Sequence, residues 1–171
     1  MILLKNILFV LGAVVALVMI SNYVTKENII PEDAIRVRVI ANSNKEEDQE
    51  LKLEIKQELE TYLYDKLKSV RNVEDADRVI KECIPEVKKI ISKYTKDYKV
   101  NYGLNYFPEK EYKSVKYDEG EYQSLVVTLG NGLGDNWWCV LFPPLCLLEA
   151  EESTDVEYHS YVVDMINKYT K

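Results

Sequence analysis

Cys139 and Cys146 enclose the hexapeptide VLFPPL, and His159 is the chain's single histidine. Two thiols and one imidazole permit a disulfide, a cysteine nucleophile served by a histidine base, or part of a zinc site. Outside a cytoplasm two nearby cysteines are more often paired than free, and closing an eight-residue loop contributes about 2.5 kcal/mol by chain entropy. The disulfide therefore ranks first, free thiols second, a metal third and catalysis last. A Pro-Pro pair beside the cysteines is no recognised nucleophile setting, and one histidine removes the multi-histidine zinc sites. No metal and no cofactor are expected.

The cysteines lie in an unusual stretch, GNGLGDNWWCVLFPPLCLLE, Gly130–Glu149. It holds three of the six glycines, both tryptophans, two of the three cysteines and a Pro-Pro pair. Glycines at 130, 132 and 134 permit backbone angles that other residues resist, so Gly130–Asn136 reads as a tight or mobile loop. Neighbouring residues of an extended chain point to opposite faces, which puts one of Trp137 and Trp138 in the core and the other at a surface or interface. The third cysteine, Cys83, falls on the apolar stripe of a helix and reads as a small core hydrophobe.

The elements that would position these residues are patterned strongly. Ala34–Ala41, AIRVRVIA, alternates as a strand buried on one side. Asn42-Ser43-Asn44 then precedes Glu46, Glu47 and Asp48, so Ser43 with Glu46, or Asn44 with Glu47, could cap a helix start. Leu51, Ile55, Leu59, Tyr62, Leu63, Leu67 and Val70 form that helix's apolar stripe. A second helix from about Asn72 carries Ala76, Val79, Ile80, Cys83, Val87, Ile90, Ile91 and Tyr94 inward. Pro85 predicts a kink at Cys83–Pro85, or two short helices. Two or three antiparallel strands follow between Lys99 and Gly130, and a C-terminal helix from Thr154 presents Tyr158, Tyr161, Val162, Met165, Ile166 and Tyr169. The order predicts an α+β fold, helices packed on a small, mainly antiparallel sheet.

Charge and the N-terminus narrow the function classes. With 22 Lys+Arg against 29 Asp+Glu the net charge is −7, which disfavours nucleic acid as a partner. The chain lacks the glycine-rich phosphate-binding motifs. Residues 1–20 hold one charge, Lys5, and an unbroken apolar run from Ile7 to Ile20. That run suits an export signal better than a permanent span. Residues 1–25 thus read as a signal peptide or membrane anchor, able to touch a membrane surface, and 26–171 as a single exported domain.

Two blocks carry a resemblance. IRVRVIANSNKEEDQELKLEIKQEL, residues 35–59, and YDEGEYQSLVVTLGNGLGDNWWCVLFPPLCLLE, residues 117–149, resemble the stage II sporulation protein R family of endospore-forming Firmicutes. The run NWWCVLFPPLC is the most specific part, and the segment after Ser153 falls outside the resemblance. The resemblance implies an exported signalling protein, not an enzyme, made in the forespore and released between the two sporulation membranes. Its implied partner is the membrane-embedded, sigma-E-processing aspartic-type protease of the mother cell. Residues singled out for that contact are Asn136, Trp137, Trp138, Leu141, Phe142, Pro143 and Pro144, with Asn42, Ser43 and Asp48 at the strand-to-helix junction. Two other classes stand beside it: an extracellular thiol-dependent hydrolase, and a cell-wall-binding module using the thirteen tyrosines and two tryptophans as stacking platforms.

Overall fold

The computed structural model describes residues 6, 11–14, 30–112, 115–146 and 155–169. The proposed signal or anchor, residues 1–25, lies largely outside these. Among the described residues no helix is long and apolar enough to cross a membrane.

The alternating run after Ala34 forms strand β1, Ile35–Ile40. Helix α1, Glu46–Leu67, and helix α2, Val73–Tyr94, follow it. Strand β2, Tyr98–Phe107, leads into two three-residue strands, β3 (Lys110–Tyr112) and β4 (Val115–Tyr117), which pair with each other. Strand β5 is Gly120–Leu129, strand β6 is Asn136–Phe142, and helix α3 is Asp155–Tyr169. The main sheet has the order β2-β5-β1-β6. Its β2–β5 and β1–β6 pairs are antiparallel and its β1–β5 pair is parallel. The α+β class and the mainly antiparallel sheet agree with the expectation.

Three local expectations change. Strand β6 runs into the Cys139–Cys146 segment expected to form a closed loop, because Asn136–Phe142 pairs residue by residue with β1. Helix α2 runs unbroken through Pro85 and is not two short helices. Proline forfeits one amide hydrogen bond there, and its exposed position leaves the freed carbonyl to water. Tyr94, assigned to the inner stripe, is 37% exposed and donates its hydroxyl to Glu58.

Period two decides which side of the sheet is dry. Ile35, Val37 and Val39 of β1, with Leu125, Val127 and Leu129 of β5, face the stripes of α1 and α2 and make the main core. Ile55, Leu59, Leu63 and Leu67 come from α1; Ala76, Ile80, Cys83, Val87, Ile90 and Ile91 come from α2. Among the described residues the opposite face carries a smaller cluster at one end, containing Ile30, Val115, Tyr117, Val140, Leu145 and Val162. Helix α3 bridges both, since Val162 sits in the smaller cluster while Tyr169 packs edge-on against Phe142 at 5.3 Å. Tyr158, Tyr161 and the Thr154 capping position lie outside the residues whose side chains are described.

Ile80 is fully buried between α2 and the sheet. Ile80→Ala should lower unfolding stability by roughly 2–5 kcal/mol, read from the urea midpoint at unchanged slope.

Candidate functional site

The two distant blocks that stand out in the sequence lock together in space. Asn42, Ser43 and Asn44 leave β1, and the glycine loop from Gly130 to Asp135 wraps them. Four loop amides donate across the gap: Asn131 to Asn42 Oδ1 at 2.9 Å, Leu133 to the Asn42 carbonyl at 3.0 Å, Gly134 to the Ala41 carbonyl at 3.0 Å, and Asp135 to Asn44 Oδ1 at 2.6 Å. Lys52 of α1, though charged, is buried beside them and donates to the Asp135 carbonyl at 3.2 Å.

The glycines are required by this approach. Gly130 and Gly132 have φ of 53° and 65°, in the left-handed region that disfavours side chains. At Gly134 the reason is contact, because a Cβ would stand 2.3 Å from the Ser43 carbonyl oxygen.

Helix α1 is not capped as expected. Its N-cap is Lys45, which makes no side-chain cap bond, and neither proposed box forms. Asp48 instead reaches back, accepting from Asn42 Nδ2 at 2.9 Å and Ser43 Oγ at 2.5 Å. These bonds hold the Asp48 carboxyl below the usual carboxylate range. Asn42 is thus committed on both ends of its amide, to Asp48 and to the loop.

From this clasp β6 emerges as an edge strand with two unlike faces. Trp137 points to the helices, with Lys56 Nζ 5.0 Å above its ring and Leu59 and Leu63 beside it in a shallow apolar cleft. Glu60 at the cleft pairs with Lys56 at 2.9 Å, and burial raises its carboxyl above the ordinary value. Trp138 points the other way, edge-on to Phe107 and to Tyr117, each at 5.4 Å. The expected division of the indoles between two faces is observed, with both half-buried.

Of the other proposed contact residues, Asn136 is exposed, whereas Leu141, Phe142, Pro143 and Pro144 are buried. Those four support the surface from beneath. Cys83, Cys139 and Cys146 are free thiols in the structure. Cys139 Sγ and Cys146 Sγ both donate to the Val140 carbonyl, at 3.6 and 2.9 Å. Burial, with Cys139 adjacent, pushes the Cys146 thiol well above its ordinary range. Among the described residues no group of His, Cys, Asp and Glu could hold a metal ion.

The junction, the glycine loop and the paired aromatic strand together make an assembly that a family comparison can test. The family model for stage II sporulation protein R matches residues 31–152, which includes every part of it. The chain belongs to the stage II sporulation protein R family. A curated relative, stage II sporulation protein R of Bacillus subtilis (strain 168), is 39% identical over 147 residues, covering 81% of this chain. The match covers 66% of that relative, so the chain spans just under two thirds of its length. No solved structure matches.

Within this family fold, one feature escaped the sequence reading. Arg36 is 1% exposed and lies on the sheet face away from the helices, its guanidinium carbon 3.4 Å from the Tyr122 ring centre. Phe107 and Trp138 flank it at 5.2 and 5.3 Å, and Arg38 stacks on Phe107 at 4.1 Å. Desolvation lowers the pKa of both guanidinium groups. The alternation IRVRVI already puts both arginines on one face, but the ring cage comes from β2, β5 and β6 and is invisible locally.

Two outcomes follow from the clasp. Gly134→Ala should cost about 1–3 kcal/mol, seen as a lower denaturant midpoint, because the obstructing atom is backbone. Asp48, whose folded pKa is depressed, contributes stability above its unfolded pKa and loses it as pH falls through the folded value. Urea titrations at stepped acid pH should show a decline that Asp48→Asn reduces.

Proposed function

We propose that this chain is an exported signalling protein of endospore formation that activates the membrane-embedded aspartic-type protease processing the sigma-E precursor. Family membership is the observation that carries the reading. On this reading, residues 1–25 direct the chain out of the forespore, as a cleaved signal or retained anchor, and 26–171 act in the intermembrane space.

The local chemistry supports a binding role. An edge strand held at one end by four loop amides presents two aromatic residues with little freedom to lose on association. Trp138 and Asn136 lie on it where a partner could reach them, and tryptophan is a frequent anchor of protein interfaces. At Cys146 the thiol-hydrolase alternative has less support, because the thiolate is the nucleophile and burial pushes this thiol well above its ordinary range. Oxidation of Cys139 with Cys146, by an extracytoplasmic thiol–disulfide oxidoreductase that accepts the two electrons, would staple the end of β6. Both sulfurs already share one carbonyl, which supports that pairing.

The full chain, co-produced with the protease and the sigma-E precursor in a host lacking all three, should cause precursor shortening on an immunoblot. Shortening that is equal with and without the chain would sink the reading. The Cys139→Ser, Cys146→Ser double variant should unfold at lower denaturant than the oxidised protein by about 2–3 kcal/mol, measured beside free-thiol titration.

A further inference from the structure

Among the described residues, part of the sheet's second face lies beyond the smaller cluster. Register puts Arg38 beside Val126 and Trp138, and Ile40 beside Thr128 and Asn136. Asn101 and Lys99 extend the same two rows across β2. Ile40 and Val126 are half-buried and belong to neither core cluster of the described residues. A partly exposed apolar patch thus lies beside a charged centre, with Lys99, Asn101 and Asn136 exposed at its margins.

That centre is electrostatically incomplete. The chain carries seven more acidic than basic residues. Nevertheless, among the described residues neither Arg36 nor Arg38 forms an ion pair with a carboxylate. Among the described residues they donate to main-chain carbonyls, Arg36 to Asp118 and Arg38 to Tyr106, each at 3.3 Å. Nε of Arg38, and Nε and Nη1 of Arg36, are buried without a hydrogen-bond partner. Buried donors left unmade are costly, and like charges on one face add to the cost. A carboxylate arriving at the outer nitrogens of Arg38 would offset the repulsion between the two like charges.

We propose that this half-face, centred on Arg38 with Ile40, Val126 and Trp138 around it, docks an acidic segment of the protease exposed outside the membrane. The segment would bring a carboxylate to the outer guanidinium nitrogens of Arg38 and an apolar side chain to Ile40 and Val126. Arg36, held beneath by its rings, supplies a fixed positive field. An anionic membrane surface fits less well, because a chain of net charge −7 is repelled by it and the basic ground is two rows wide. The inference rests on the activation reading above and specifies the surface used.

The test uses the full chain in the precursor-shortening assay. Arg38→Glu should lower the cleavage rate at least tenfold with unchanged thermal unfolding, and Arg38→Lys should retain part of it, since an ammonium keeps the charge but loses the planar fork. Arg78→Glu, on the exposed face of α2, should match the unaltered chain. A photo-crosslinking residue placed at Val126 should form an adduct with the co-produced protease. Full activity of Arg38→Glu overturns the proposal, as do adducts confined to the chain's own residues 1–29 or to lipid. If Arg38→Glu does not fold, the Val126 adduct decides alone. Shortening driven by the unaltered chain without any adduct sinks the docking face but not the activation reading; an adduct without shortening does the reverse.

Discussion

The amide of Asn42 is the constraint on which most of this molecule depends. One end of it accepts from the glycine loop and the other donates to Asp48, so a single side chain joins the exit of β1, the start of α1 and the entry to β6. The geometry leaves little latitude. A Cβ on Gly130 would meet Asn42 Oδ1 at 2.3 Å, and one on Gly134 would meet the Ser43 carbonyl at the same distance. Register of β6 against β1 follows, and a slip of one residue would exchange Trp137 with Trp138 between a cleft under α1 and a cage of rings around Arg36.

Because β6 is an edge strand, this register sets the chemistry of two surfaces at once. Toward α1 the strand is apolar, and the nearest charges, Lys56 and Glu60, pair with each other. Away from the helices Arg36 and Arg38 rest on aromatic faces, which accept a cation without neutralising it, and Lys110 stands over Trp138 beside them. A stacked arginine stays available to an anion in a way that an ion-paired one does not. The sheet therefore separates a side whose two nearest charges pair with each other from one whose guanidinium groups have no carboxylate among the described residues.

Much of the scaffold was legible in the sequence. The stripes of α1 and α2, Tyr94 apart, read correctly because a 3.6-residue period survives any tertiary setting. β1 read correctly because valines alternate with arginines, and opposite faces for adjacent tryptophans follow from an extended chain. What stayed hidden depended on partners distant in the chain. Beyond the extended Trp137-Trp138 pair, β6 reads as a loop until β1 is placed beside it, since glycines before and prolines after outweigh its own β-propensity. The cap of α1 misled because Ser43 and Glu46 fit a local box, while the loop some ninety residues away draws Asn42 and Asn44 into other bonds. Arg36 is the plainest case: an arginine in an alternating strand reads as solvent-facing, and only Phe107, Tyr122 and Trp138 together bury it.

The central strand has a further consequence, concerning time. β1 lies near the front of the chain, yet both of its neighbours, residues 124–128 and 136–142, come from the far end. A polypeptide emerging N-terminus first, from a ribosome or through a translocation channel, can form the α1–α2 hairpin early, from local contacts. The sheet must wait until β5 and β6 have emerged, and closing such a long loop makes this the slow step. Until then the arginine face and the aromatic strand do not exist as surfaces, so a truncated or half-threaded chain presents nothing a partner could recognise.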